Sequence, residues 1–164
     1  MSVFEAKAKS THLERVVSRL SIKSAEFGRE SDGGEPEYST GEIAALCAGL
    51  SDPIARELVG VIHEDPGAVA EAVRALDSWG WARFHHDYPG RKLDRRIHAK
   101  LALCAVADYR LASGYGFDEV QGFLGIPRKK FDGLIVHWGT LRSRILTAED
   151  AVVRKLRNEF AESA

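Results

Sequence analysis

Apolar residues recur at helical spacing along nearly all of this 164-residue chain, and this periodicity restricts its fold more than any other feature. Leucine, valine, isoleucine and aromatic side chains return every three or four positions. No segment alternates apolar and polar residues in the way a half-buried strand does, and no unit repeats at a fixed period. Since 45% of the residues are apolar, the chain can bury a core. The sequence therefore predicts an all-α protein.

Start and stop signals divide the first half into helices. Thr11 and Glu14 have the spacing of a capping box, and the Ser-, Gly- and Glu-rich stretch 24–39 predicts a linker or mobile arm. Further helices are predicted to start at Thr40, after a cap at Ser51 and at Asp65-Pro66. Gly80 is predicted to end the last of these helices, which leaves 81–92 as an irregular segment.

The second half continues the helical pattern. A long helix is predicted over 93–112, a short one over 117–124 and a longer one from 128 to about 146. Thr147 and Asp150 resemble another cap, which predicts a separate last helix over 148–161.

Charge is distributed unevenly over the chain although the total is −1. Residues 1–90 carry 9 basic and 15 acidic groups, whereas residues 91–164 carry 14 basic and 9 acidic groups. Such asymmetry is a hint of nucleic-acid contact by the basic half. We divide the chain into an N-terminal helix and flexible or loosely packed arm (1–39), a helical region that could bind a partner (40–92) and a DNA-binding region (93–164).

The segment 117–144 reads FDEVQGFLGIPRKKFDGLIVHWGTLRSR and has the pattern of a helix-turn-helix. A short helix would bury Phe117, Val120 and Leu124. Gly125 supplies a residue that tolerates positive φ, and Pro127 suits the first position of the next helix. The sequence therefore predicts two helices joined by a tight turn in the C-terminal region.

Cations crowd the first turn of the second helix of this motif, where the helix dipole favours anions. Arg128, Lys129 and Lys130 would be well placed to reach the major groove of DNA, because recognition helices present their N-terminal residues there. Asp132 would discriminate between bases or help to set the helix. The candidate phosphate contacts are Arg142, Arg144, Arg91, Arg95 and Arg96. The alternative is a solvated charged face, with Arg142 and Arg144 compensating a helix C-terminus.

The residues from Glu119 to Phe131, EVQGFLGIPRKKF, resemble the helix-turn-helix of sigma-factor region four, whose core reads approximately EIA-x-x-L-G-I-S-x-x-T-V. Gln121 replaces the usual Ala and Pro127 the usual Ser or Thr. Over about residues 95–160 the chain also resembles phage late-gene antiterminators of the Q type, in a branch without their zinc-binding cysteines. This resemblance implies binding to DNA near a late promoter and engagement of RNA polymerase in transcription antitermination.

Other classes of function find little support in the sequence. It has no P-loop, dinucleotide-binding turn, nucleophile motif or HExxH, so we predict neither an enzyme nor a cofactor. His85, His86 and Asp87 have no further ligand at a suitable spacing, and we predict no metal. Cys47 and Cys104 are predicted to be buried thiols and not a disulfide framework. No secretory signal or membrane span is visible, so the expected location is the cytoplasm, without a membrane partner.

Three other functions fit the same residues. A phage small terminase subunit combines a helix-turn-helix with oligomerisation helices and would form a ring. A repressor would be a symmetric homodimer that reads a palindrome. An adaptor that binds only proteins would show no salt-dependent affinity for DNA.

Overall fold

The computed structural model describes residues 11–20, 38–111 and 114–161, and within these ranges the chain forms helices and no strand. The predicted all-α fold is confirmed there. The linker predicted over 24–39 lies outside the described residues except for its last two positions. No helix in the described ranges combines the length and the apolar composition that a membrane span requires.

Eight α-helices and one 3₁₀ turn make up the described part of the chain. They are α1 (12–20), α2 (Thr40–Cys47), the 3₁₀ helix (Ala55–Glu57), α3 (Leu58–Ile62), α4 (Pro66–Asp87), α5 (Arg95–Arg110), α6 (Phe117–Leu124), α7 (Arg128–Asp132) and α8 (Ile135–Ala161). Helix α5 lies against α4, α6 and α8, and α8 also contacts α2, α3, α4 and the 3₁₀ helix.

One hydrophobic core joins residues from all three predicted regions. Its largest fully buried side chains include Leu13 of α1, Leu76 of α4 and Trp138 of α8. Helix α1 is attached to this core by the carboxylate of Glu149, which accepts hydrogen bonds from the backbone N–H of Leu13 (3.4 Å) and from the hydroxyl of Tyr109. The candidate interface described below therefore lies on a scaffold built from the whole described chain.

Several predicted helix starts are confirmed by their caps. The hydroxyl of Thr11 accepts from the N–H of Glu14 at 3.1 Å, and the carboxylate of Asp65 accepts from the N–H of Gly67 at 3.2 Å. The cap predicted at Ser51 is wrong. Asp52 takes that role, because its carboxylate accepts from the N–H of Ile54 at 2.9 Å.

The prediction that Gly80 ends α4 is wrong, and so is the irregular segment predicted to follow it. Helix α4 continues to Asp87 and buries both Gly80 and Phe84. The reason is tertiary packing: a Cβ atom on residue 80 would lie 2.5 Å from Cδ2 of Leu141 and 3.0 Å from Cε1 of His98. Gly80 therefore lets α4 approach its neighbours closely, at a helix position where glycine is locally unfavourable.

The helix break predicted at Thr147 is also wrong, since α8 runs through it to Ala161. The hydroxyl of Thr147 donates to the carbonyl of Ser143, one turn earlier, at 3.1 Å. A threonine inside a helix commonly makes this bond to the preceding turn, so its side chain is satisfied without a cap. Ala148, Val152 and Leu156 remain on the buried face across the predicted break.

Both cysteines are free and buried, as predicted. Burial raises the pKa of the Cys47 thiol to about 11 and that of Cys104 to about 12. Since the thiolate is the reactive form, we expect neither cysteine of the folded protein to react with a thiol-specific reagent at pH 8. The same chain in guanidinium should react at both positions within the mixing time. A folded-state rate close to the unfolded rate would contradict the burial of these thiols.

Candidate nucleic-acid interface

Helix α6 forms the first half of the predicted helix-turn-helix, with the predicted bounds. The side chain of Glu119 accepts from the N–H of Gly116 at 3.2 Å, and Gly125 ends the helix with a φ of 68°. Val120 and Leu124 are buried as predicted, whereas Phe117 is 44% exposed. The prediction that Phe117 is buried is therefore wrong: it is the first residue of α6, and the buried face of this helix begins at Val120.

Gln121, one of the two departures from the sigma-factor region-four pattern, stabilises the turn between α6 and α7. The side-chain amide of Gln121 donates to the carbonyl of Ile126 at 3.3 Å. Pro127, with a ψ of 150°, lies just before α7 rather than in its first turn, and its carbonyl accepts from the N–H of Phe131 at 3.0 Å. A polar residue at position 121 therefore helps to hold the turn.

Helix α7 is much shorter than the helix predicted to extend from 128 to about 146. It contains five residues, Arg128–Asp132, with Gly133 as its C-cap, and α8 begins at Ile135. At the junction the guanidinium of Arg91 donates to the carbonyl of Gly133 at 3.1 Å. Trp138 and Leu141, predicted to lie on the second helix of the motif, belong to α8 and are buried there. Only the first turn of the predicted recognition helix is therefore a separate element.

The three predicted cations of α7 are all exposed, but their surroundings differ. Arg128 bridges two carboxylates, with 2.6 Å to Asp118 and 3.1 Å to Asp132. Among the described residues no carboxylate lies within ion-pairing distance of Lys129 or Lys130. Lys129 and Lys130 therefore present their charge to solvent, whereas Arg128 connects α7 with α6 through Asp118 and pairs with Asp132 within α7.

The segment between α4 and α5 lies beside α7. Its Arg91, besides binding Gly133, stacks over the rings of Phe84 and Tyr88, with 5.5 Å and 5.0 Å from the guanidinium carbon to the ring centroids. The next residue, Lys92, is exposed. The structure thus brings a second basic element, which the sequence places about 40 positions away, against the end of α7.

Arg95 and Arg96 occupy the first turn of α5. Arg95 is 3.0 Å from the carboxylate of Asp77 and stacks over Trp81 at 4.6 Å. Arg96 is exposed, and no carboxylate among the described residues pairs with it. Of these two predicted phosphate contacts, Arg96 is the one whose charge is directed to solvent without an internal partner.

Arg142 and Arg144 lie in ion pairs within the protein. Arg142 is 3.0 Å from Asp108, a carboxylate that is 4% exposed and also accepts from the N–H of Tyr115 at 2.6 Å. Burial raises the pKa of Asp108, although Tyr115 and Arg142 oppose this effect. Arg144 makes two hydrogen bonds of 2.8 Å to Asp52. These ion pairs give both arginines a structural role that does not require a contact with DNA.

A group of polar side chains whose association the sequence did not reveal joins α4, α5 and α8. His98 of α5 contacts Asp77 of α4 at 2.6 Å and His137 of α8 at 2.9 Å, and both imidazoles are almost completely buried. Burial lowers the pKa of His98 and lowers that of His137 to about 4. The two histidines are 39 positions apart, so local spacing carries no signal for their contact. Within the described ranges, no group of three or more metal-ligating side chains could hold an ion.

Comparisons of the chain with protein-family models, with curated proteins and with solved structures found no match.

Proposed function

We propose that this protein is a sequence-specific regulator that binds double-stranded DNA through α6 and α7. The observation that carries the proposal is the pair of solvent-directed cations, Lys129 and Lys130, on the helix that follows the tight turn of a helix-turn-helix. Cations at a helix start oppose the dipole, so an anionic partner would remove an unfavourable arrangement. The first turn is also the part of a recognition helix that reaches base edges.

Arg91, Lys92 and Arg96 extend the basic surface beyond α7. In this proposal they contact the phosphate backbone beside the groove that α7 enters, which fixes register without reading sequence. Arg128 holds α7 against α6 through Asp118, and Asp132 supports Arg128. Arg95, Arg142 and Arg144 are already paired with carboxylates, so we assign them to the scaffold.

Selection of bound duplexes from a random DNA pool tests the proposal. The enriched duplex is then titrated with Lys129→Ala and Lys130→Ala. We expect each variant to lose about 1–3 kcal/mol of specific affinity, or roughly 5- to 150-fold, and to relax the base preference at one position. Lys155→Ala removes the same charge from the distant end of α8 and should change affinity less than about 2-fold. Circular dichroism of each variant checks that the fold is retained.

The salt dependence of binding identifies the class of partner. A DNA-binding protein should lose affinity steeply as salt rises, with a slope of about −0.9 for each phosphate contact. If no duplex is enriched and binding does not respond to salt, the DNA-binding proposal is wrong and the basic surface serves a protein partner. A palindromic site bound by a dimer would identify a repressor, and a ring-shaped oligomer would identify a terminase subunit.

The finer proposal is phage antitermination, which rests on the resemblance to late-gene antiterminators of the Q type. It requires binding to RNA polymerase as well as to DNA, in the bacterial cytoplasm. Transcription in vitro from a template that carries the selected site should then read through a downstream terminator more often when the protein is present. Unchanged termination, with the DNA site occupied, would exclude antitermination and leave repression.

A further inference from the structure

A continuous line of polar side chains, two of them fully buried histidines, crosses the three helices α4, α5 and α8. The carboxylate of Asp77 on α4 contacts Nδ1 of His98 on α5 at 2.6 Å. Nε2 of His98 contacts Nε2 of His137 on α8 at 2.9 Å. His98 is 0% exposed and His137 is 1% exposed. Among the described residues, Nδ1 of His137 has no hydrogen-bond partner.

One arrangement of protons satisfies every buried N–H of this line. A carboxylate accepts, so Nδ1 of His98 carries a proton and donates to Asp77. Nε2 of a neutral His98 is then an acceptor, and Nε2 of His137 must donate to it. This leaves Nδ1 of His137 without a proton, which is the less costly state for a buried nitrogen that has no acceptor nearby. Both histidines are therefore neutral in the folded protein.

An added proton has no favourable position in this arrangement. If His98 takes it, both of its nitrogens become donors, and His137 must turn its remaining N–H toward a position without an acceptor. If His137 takes it directly, the same unpartnered Nδ1–H appears, together with a buried positive charge. In either case the hydrogen bond between the two rings remains, but the contact between α8 and α5 gains a buried positive charge and an unpartnered donor at Nδ1 of His137.

The groups around the pair do not supply a compensating negative charge for His137. On α4, Asp77 is directed to His98, and a charge on His85 would oppose a charge on His98. Asp87 favours a charge on His137, but only from a distance. On α5, Arg95 opposes a charge on His98 and is itself paired with Asp77. Two aromatic rings of α4 also cover the pair: the centroid of Phe84 is 5.2 Å from that of His137, and the centroid of Trp81 is 5.6 Å from that of His98.

We propose that Asp77, His98 and His137 form a proton-sensitive latch that holds the start of α8, and with it α7, against α4 and α5. His137 lies four residues after Gly133, the junction to which Arg91 is bound. Protonation weakens the attachment of this junction and so changes the position of α7. If the proposed function holds, opening of the latch lowers the affinity for DNA as the pH becomes acidic, and this part of the inference rests on the proposed function. The latch itself does not depend on DNA.

The direction of the pH effect follows from the lowered pKa values. A histidine whose pKa is lower in the folded than in the unfolded protein stabilises the fold at pH values above its unfolded pKa of about 6.5. This contribution decreases as the pH falls toward the folded value, which for His137 is about 4. The latch is therefore closed at neutral pH and weakens between pH 6.5 and pH 4.

Nitrogen-15 NMR of the imidazoles tests the proton arrangement. We expect the Nδ1–H tautomer for His98 and the Nε2–H tautomer for His137 at pH 7. His137 should titrate near pH 4, and the pKa of His98 should lie below that of an ordinary histidine. The exposed ring of His86 in the same spectra provides the comparison. If either buried histidine titrates near pH 6.5, or His137 carries its proton on Nδ1, the latch is refuted.

Unfolding experiments test the energetic role. Between pH 7 and pH 5, the folding equilibrium constant of the wild-type protein should fall about 20-fold more than that of His137→Gln, whose amide can still donate to His98 but does not titrate. His86→Gln removes an exposed histidine and should retain the wild-type pH dependence. If His137→Gln and the wild type follow the same curve within about 3-fold, the proposal is wrong.

DNA binding provides an independent readout. If the proposed function holds, the wild type should lose affinity for the selected duplex between pH 7 and pH 5 more strongly than His137→Gln. If no duplex binds at any pH, the proposed function fails, while the NMR and unfolding results still decide the latch. If DNA binding is found but His137→Gln shows the wild-type pH dependence of binding and of unfolding, the latch fails and the proposed function stands.

Discussion

Gly80→Val is expected to lower the free energy of unfolding by about 3 kcal/mol, and Gly80→Ala by a smaller amount. The new Cβ would lie 2.5 Å from Cδ2 of Leu141, a side chain that is completely buried. It would also lie 3.0 Å from the ring of His98, which two hydrogen bonds hold in place. A side chain at position 80 would therefore force Leu141, His98 or the helices themselves to move where α4 packs against α5 and α8.

Gly139 provides a matched control, because it lies inside a long helix as Gly80 does. A Cβ at residue 139 would meet no atom within 4 Å. Gly139→Ala should therefore raise the free energy of unfolding by up to about 1 kcal/mol, through helix propensity alone. Urea unfolding at pH 7 measures both variants. Equal effects at positions 80 and 139 would show that α4 does not make the close approach described above.

Asp52→Ala should lower the free energy of unfolding by about 3 kcal/mol, because it removes two kinds of contact at once. The carboxylate caps the turn before the 3₁₀ helix through the N–H groups of Ile54 and Ala55. It also forms two hydrogen bonds of 2.8 Å with Arg144 of α8. Without it, the partly buried guanidinium of Arg144 would remain packed over Trp79 without a counter-charge.

A double-mutant cycle with Arg144→Met isolates the ion pair from the cap. We expect a coupling energy of about 1–3 kcal/mol between positions 52 and 144 in urea unfolding at pH 7. Burial raises the pKa of Asp52, but the hydrogen bonds from Arg144 and Ile54 outweigh burial and lower it. The stabilisation should therefore persist above the unfolded pKa of about 4 and be lost as the pH falls below it. Additive effects of the two substitutions would contradict the pair.

The same cycle distinguishes two roles for Arg144. The sequence predicted a phosphate contact, whereas the structure gives the arginine a carboxylate and an indole ring inside the protein. If the structural role holds, Arg144→Met lowers stability and leaves the affinity for the selected duplex within about 2-fold. A loss of affinity without a loss of stability would restore the predicted DNA contact.

Local signals in the sequence were sufficient for the elements that local physics determines. Helix α6 has the predicted bounds because its apolar spacing and the glycine at its end act within one turn of the chain. The caps at Thr11 and Asp65 are local in the same way. The three cations of α7 could be identified as exposed charges because no apolar stripe includes them.

The sequence-based predictions are wrong where contacts with residues far away in the sequence determine the local structure. Gly80 carries a local stop signal, but Leu141 and His98 determine its conformation from 61 and 18 positions away. Arg144 lacks any local sign of its partner, which is 92 positions earlier. The His98–His137 contact is equally invisible, because a histidine on an apolar face gives no indication of which side chain it will meet.

The order in which the chain is synthesised has a consequence for α8, which packs against α2, α3, α4, α5 and, through Glu149, α1. Every one of these helices leaves the ribosome before α8 does. The 51 residues from the end of α5 to the end of α8 require roughly 3–10 s of translation. During that interval the faces that α8 will cover remain in water. The nascent chain therefore exposes these faces to chaperones and proteases until α8 has been synthesised and can cover them.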